Sequence, residues 1–124
     1  MIRKIKSFTD LVAWKRGHEL VLIIYKLTKN FPKEESYGLT DQMRRCAVSI
    51  NSNIAEGFSR QGEKEKRQFY FTSKGSLTEL KNQLLVARDV GYLSKDEFGK
   101  VASKTVEVHK LINGLAKSSL NTKY

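Results

Sequence analysis

Several things are scarce in this 124-residue chain, and each scarcity narrows its class. There is one cysteine, Cys46, so no internal disulfide can form, which fits a reducing compartment. Its apolar neighbours point to a buried structural thiol rather than a nucleophile. One proline and eight glycines leave little room for a loop-rich fold. Long apolar runs are missing too. The longest, residues 20–25, is far short of the roughly 20 residues that cross a bilayer. The basic start, residues 1–7, has no apolar stretch long enough for a signal peptide. A soluble, cytoplasmic protein without membrane contact is expected. Acidic residues are outnumbered, 13 Asp and Glu against 23 Lys and Arg, and the net charge is +10. Such an imbalance favours polyanions as partners, nucleic acid first among them.

The chain does contain enough apolar material for a core. Hydrophobic residues make up 40%, including six Phe, five Tyr and one Trp, which excludes a disordered tail. Four segments have helical periodicity. The first is expected over residues 10–30, capped by Ser7 or Thr9 and stopped by Pro32, with Leu11, Trp14, Leu20, Val21, Ile24 and Leu27 inward. Residues 21–25 have strand propensity, but no turn signal separates them from their helical flanks. Residues 31–38 form the longest connection. The second helix, 39–59, carries Met43, Ala47, Ile50, Ile54 and Phe58 on one face. The third, 63–90, has the seam Tyr70, Ser73, Leu77, Leu80, Leu84 and Ala87, and Gly91-Tyr92 closes it as a Schellman cap. The fourth, 95–117, opens with a capping box of Ser94 and Glu97, followed by Phe98, Val101, Thr105, Val108, Ile112 and Leu115. Four amphipathic segments with short connections predict a single all-α domain over residues 1–124, an antiparallel up-down-up-down four-helix bundle.

Catalytic constellations are absent from this pattern. Each helix offers a glutamate, Glu19, Glu56, Glu79 and Glu107. A di-iron centre also needs Glu-x-x-His on two helices. Here His18 adjoins Glu19 and His109 follows Glu107 by two, so the side chains diverge by roughly 100° and 200° around a helix. Neither histidine forms a recognisable pair with Cys46, and Gly57 and Gly62 lack the Gly-Lys-Ser/Thr of a phosphate loop. No enzymatic activity, cofactor or metal is expected.

Two surface features stand out. On the third helix Arg67, Lys74, Lys81 and Arg88 recur every seven residues, drifting only about 20° per heptad. Arg60 and Lys64 extend the row. Each cation can displace a counterion from a phosphate backbone, and these six are the candidate nucleic-acid contacts. On the second helix a polar line runs through Arg45, Ser49, Ser52, Asn53, Glu56 and Arg60. Arg45 and Glu56 lie three turns apart, too far to meet within the helix. Glu56 is expected to meet a group on another helix or subunit. Arg45, Asn53, Glu56 and Glu79 are the candidates for an oligomer interface or polar network. Few aromatic residues are evidently exposed, so base stacking on a single strand is not expected.

The strings Phe8-x-Asp10-Leu11-x-x-Trp14, Tyr37-Gly38-Leu39-x-x-Gln42-x-Arg44-Arg45, Ser49-Ile50-x-x-Asn53-Ile54-Ala55-Glu56-Gly57 and Gly75-Ser76-Leu77-x-Glu79-Leu80 resemble one family. It is the four helix bundle protein family encoded by intervening sequences in bacterial 23S ribosomal RNA genes, and the resemblance covers nearly the whole chain. It implies a ring-like homopentamer without enzymatic activity. The architecture is shared with the accessory variability protein of diversity-generating retroelements, a basic partner of a reverse transcriptase and its RNA. Gly17 and Cys46 stand where the family usually has alanine, and Gly62 replaces a frequent serine. The resemblance and the charge together make RNA binding through backbone phosphates the expected function. A scaffold docking onto a reverse transcriptase or another acidic partner is the alternative.

Overall fold

The computed structural model describes residues 5–121, with side chains through residue 118. Residues 1–4, part of the basic start, and residues 122–124 lie outside the described residues. Four helices account for most of the chain: α1 (Val12–Thr28), α2 (Leu39–Ser59), α3 (Glu63–Asp89) and α4 (Lys95–Asn121). Single 3-10 turns occupy Phe8–Asp10 and Lys33–Glu35. No strand occurs among the described residues. The helices form a four-helix bundle in which α1 packs on α2 and α4, and α3 packs on the same two.

The first helix is shorter than its periodicity predicts. Ser7 and Asp10 cap the preceding 3-10 turn instead. The Thr9 amide donates to Ser7 Oγ at 3.2 Å and the Ser7 amide to Asp10 Oδ2 at 3.1 Å. Leu11 is then extended (φ −72°, ψ 130°), so α1 starts at Val12 without a side-chain cap. Its end comes at Thr28, after which the amides of Asn30 and Phe31 reach back only three residues, to Leu27 and Thr28. Residues 21–25 are helical, as periodicity rather than strand propensity requires. Leu20 and Ile24 are fully buried while Leu22 and Tyr25 face out.

The other boundaries follow their local signals closely. Gly91 has φ +87°, and the amides of Tyr92 and Gly91 donate to the carbonyls of Ala87 (2.8 Å) and Arg88 (3.1 Å), the two bonds of a Schellman cap. The Tyr92 ring packs on Phe31, with centroids 5.2 Å apart. At α4 the Ser94 amide donates to Glu97 Oε1 (2.9 Å) and the Glu97 amide to Ser94 Oγ (3.1 Å), completing the capping box. This helix runs past residue 117 to Asn121, and its seam shifts to Ala116, leaving Leu115 half-buried.

Small residues let α2 and α3 approach closely. Ser73 Oγ donates to the Ile50 carbonyl at 2.8 Å, Ser49 and Ser76 hydroxyls meet at 3.0 Å, and a Cβ on Gly57 would lie 2.6 Å from the Tyr70 ring. Cys46 is buried and its thiol donates to the Ser76 carbonyl at 3.0 Å. Burial, and secondarily the charge of Glu79, push that thiol up to about 11, so it stays protonated and unreactive at neutral pH. Between α1 and α2 the fit is set by Gly17. An added Cβ there would sit 1.9 Å from Asn51 Oδ1, while Asn51 Nδ2 donates to the Trp14 carbonyl at 3.0 Å. A methyl at position 17 would therefore collide with the Asn51 carboxamide, and glycine leaves it room.

Candidate nucleic-acid interface

The heptad row of α3 does line one side of the helix, and that side flanks α4. Arg67, Lys74 and Lys81 are half-buried and Arg88 is exposed. The row divides into two halves. In the C-terminal half, Arg88 pairs with its neighbour Asp89 at 2.8 Å and lies over the Phe98 ring of α4, 4.8 Å from its centroid. Lys81 Nζ meets His109 Nδ1 of α4 at 3.0 Å. An ammonium donor there makes Nδ1 the acceptor and places the imidazole proton on Nε2. Burial lowers the His109 pKa, and the charges of Lys81 and Lys74 lower it further, so the ring is neutral at pH 7.

In the N-terminal half the cations are open. Among the described residues no carboxylate pairs with Lys64, Arg67 or Lys74, nor with Lys110 and Lys117 on the outer side of α4. Lys74 Nζ lies 5.7 Å from the centroid of the Phe71 ring. Few aromatics are exposed among the described residues, but Phe71 is one of them at 54%, and Tyr37 is almost fully so. Arg60 is engaged differently, pairing with Glu56 at 3.1 Å and lying 4.8 Å over the Phe69 ring.

The polar candidates of α2 and α3 are not brought together. Arg45 pairs with Asp41 one turn back at 2.9 Å, and Glu56 with Arg60 one turn on, so Glu56 finds its partner on its own helix rather than across the bundle. Asn53 Nδ2 donates to the Ser49 carbonyl at 2.8 Å, and Glu79 accepts from Gln83 at 3.4 Å. Intrahelical spacing of four explains each pairing, because such side chains are neighbours on the helix surface.

The inter-helix ionic network lies elsewhere. Lys104 of α4 bonds to Glu19 of α1 and, at 3.1 Å, to Glu107; Arg16 joins Glu19 at 2.6 Å and approaches Glu107 at 3.7 Å. The bond to Lys104 holds the Glu19 carboxyl below its ordinary pKa. Two of the four glutamates weighed as metal ligands, Glu19 and Glu107, thus converge on a lysine, while Glu56 and Glu79 belong to other faces. Arg44 is a further link the sequence did not reveal. Its Nε donates to Thr28 Oγ1 at 2.9 Å and its guanidinium covers the Tyr25 ring at 4.6 Å. Among the described residues no group of three or more His, Cys, Asp or Glu is placed to hold a metal, and no helix is long and apolar enough to cross a membrane.

Fold and charge distribution together define a basic four-helix bundle with a row of cations along its third helix, flanked at its ends by Glu63 and Asp89. The chain belongs to the 23S rRNA-intervening sequence protein family, which it matches over residues 9–114. Its fold is similar to the crystal structure of a protein of unknown function from the S23 ribosomal protein family of Bacteroides thetaiotaomicron. The TM-score is 0.76 at 19% identity, covering 86% of this chain and 99% of that one. No curated protein matches the chain.

Proposed function

We propose that the protein is a non-enzymatic nucleic-acid-binding bundle, that RNA is its ligand, and that it acts in the cytoplasm as a homopentamer. One observation carries the reading. From Lys64 to Arg88 one side of α3 presents Lys64, Arg67, Lys74, Lys81 and Arg88, the last two against α4, and neither Glu65 nor Glu79 lies on it. Glu79 is displaced from Lys81 by roughly 160° around the helix. Fixed cations without intervening acids suit a phosphate backbone, whose counterions they displace. Arg60 adds its charge at the end of α2, partly offset by Glu56.

The helices are proposed to alternate up and down. Arg88 lies by Phe98 and Lys81 by His109, so residue numbers rise along one helix as they fall along its neighbour. The contacts between copies are assigned to the polar positions Arg45, Asn53, Glu56 and Glu79, the line on α2 and its neighbour on α3.

Salt titration tests the binding reading. Contacts to Z phosphates give a log–log slope of roughly −0.9Z on a duplex and −0.7Z on a single strand. Each Gln substitution at Arg67, Lys74, Lys81 or Arg88 should remove about one contact from that slope and weaken all sequences alike. Should the quadruple variant bind RNA and DNA as tightly as the parent at equal salt, the row is only a solvated flank. A groove of about 210 Å³ favours the second reading in that event. It lies between α3 and α4 and is lined by Leu84, Leu85, Phe98, Ala102 and Val106 beside Lys81. An acidic protein partner, such as a reverse transcriptase, would dock there.

A further inference from the structure

We infer that Phe71 is a base-stacking platform and that the α3 face it shares with Arg67 and Lys74 takes single-stranded nucleic acid. This rests on the nucleic-acid reading above and names the form of the ligand. Three aromatic residues follow one another on α3, and two have structural employment. Phe69 lies under the Arg60 guanidinium, and Tyr70 is buried in the core against Gly57. Phe71 presents its ring to solvent.

A lone exposed apolar side chain is unremarkable in itself. The surroundings distinguish this one. Arg67 lies one turn before Phe71, Lys74 one turn after, and Lys64 two turns before, all on one arc of the helix without a carboxylate among them. Lys74 Nζ stands 5.7 Å from the ring centroid, so a cation already flanks the stacking surface. The next exposed large apolar residues on the helix are Leu85 and Val86. The nearest of them is 14 residues on, about 21 Å along the axis at 1.5 Å per residue. An isolated ring set among cations is poorly suited to a protein partner, which needs a contiguous apolar patch. It suits a strand whose phosphates meet the cations and whose unpaired base covers the ring. A duplex keeps its bases stacked internally and offers the ring no face.

The test compares a labelled oligouridylate with an RNA duplex of equal length, by anisotropy at fixed salt. Stacking on one aromatic is worth about 1–3 kcal/mol by alanine substitution. Phe71→Ala should therefore weaken single-strand binding by about 5- to 150-fold, leave duplex binding unchanged and preserve the salt slope set by the cations. Phe71→Trp should keep the affinity and show fluorescence quenched by the single strand. Equal weakening of both ligands, or no weakening of either, overturns the assignment while leaving the cationic surface standing. Loss of oligomer mass in Phe71→Ala overturns it as well, by making the ring a contact between copies. Failure of the parent protein to bind either ligand at low salt sinks the nucleic-acid reading itself.

Discussion

At the scale of single residues, Gly17 and Asn51 form a coupled pair. Alanine in place of glycine within a helix normally stabilises by up to about 1 kcal/mol. At position 17 the new methyl would displace the Asn51 carboxamide, which is buried and donates to the Trp14 carbonyl. Breaking such a bond costs about 1–3 kcal/mol, so Gly17→Ala should lower stability in urea denaturation. With Asn51→Ala already in place the methyl finds room, and the same substitution should become neutral or stabilising. A Gly17→Ala variant as stable as the parent would mean that the carboxamide swings aside freely. No sequence rule indicates this pairing, because it depends on two helices meeting 34 positions apart.

At the scale of helices, caps and seams contribute by different mechanisms and in different amounts. Ser94→Ala removes the hydroxyl that accepts from the Glu97 amide and should cost about 1 kcal/mol. Leu80→Ala or Ile54→Ala empties a fully buried position and should cost about 2–5 kcal/mol. Denaturant midpoints measured together check the ordering, and a cap variant costing as much as a core variant would contradict it. Replacing the exposed Lys64 by Gln should barely move the midpoint, since an exposed cation contributes little to folding, whereas Lys81→Gln also loses the contact with His109. The end signals of α3 and α4 were legible because the Schellman and capping-box bonds join residues three to five positions apart. The start of α1 was not, because Ser7 satisfies a separate 3-10 turn and Leu11 breaks the run.

At the scale of the whole molecule, charge and assembly are linked. Five copies at +10 each would carry 5 × 10 = +50, a field that draws polyanions and opposes close assembly without them. Light scattering coupled to size exclusion should give a mass near 5 × 14.2 = 71 kDa. A mass near 14.2 kDa at micromolar concentration would remove the pentamer. Arg45→Ala or Glu56→Ala should lower the apparent mass if the α2 line lies between copies. The pairings of Arg45 with Asp41 and of Glu56 with Arg60 are exposed and local, so they remain open to a second copy.

By itself, the sequence determined the four helices, most of their ends and nearly all of the core, since apolar spacing at 3.6 residues and caps of three to five residues are properties of one segment. It also determined the excess of positive charge and the heptad row on α3. Only the tertiary structure decided which cations are spoken for. Lys104 is taken up by Glu19 and Glu107, Lys81 leans on His109, and Lys64, Arg67 and Lys74 stay open beside an exposed Phe71. The physical reason is that an ion pair between helices, or the exposure of a ring, depends on which neighbour arrives across the bundle. Residues as far apart in the chain as Glu19 and Lys104 carry no local trace of that meeting.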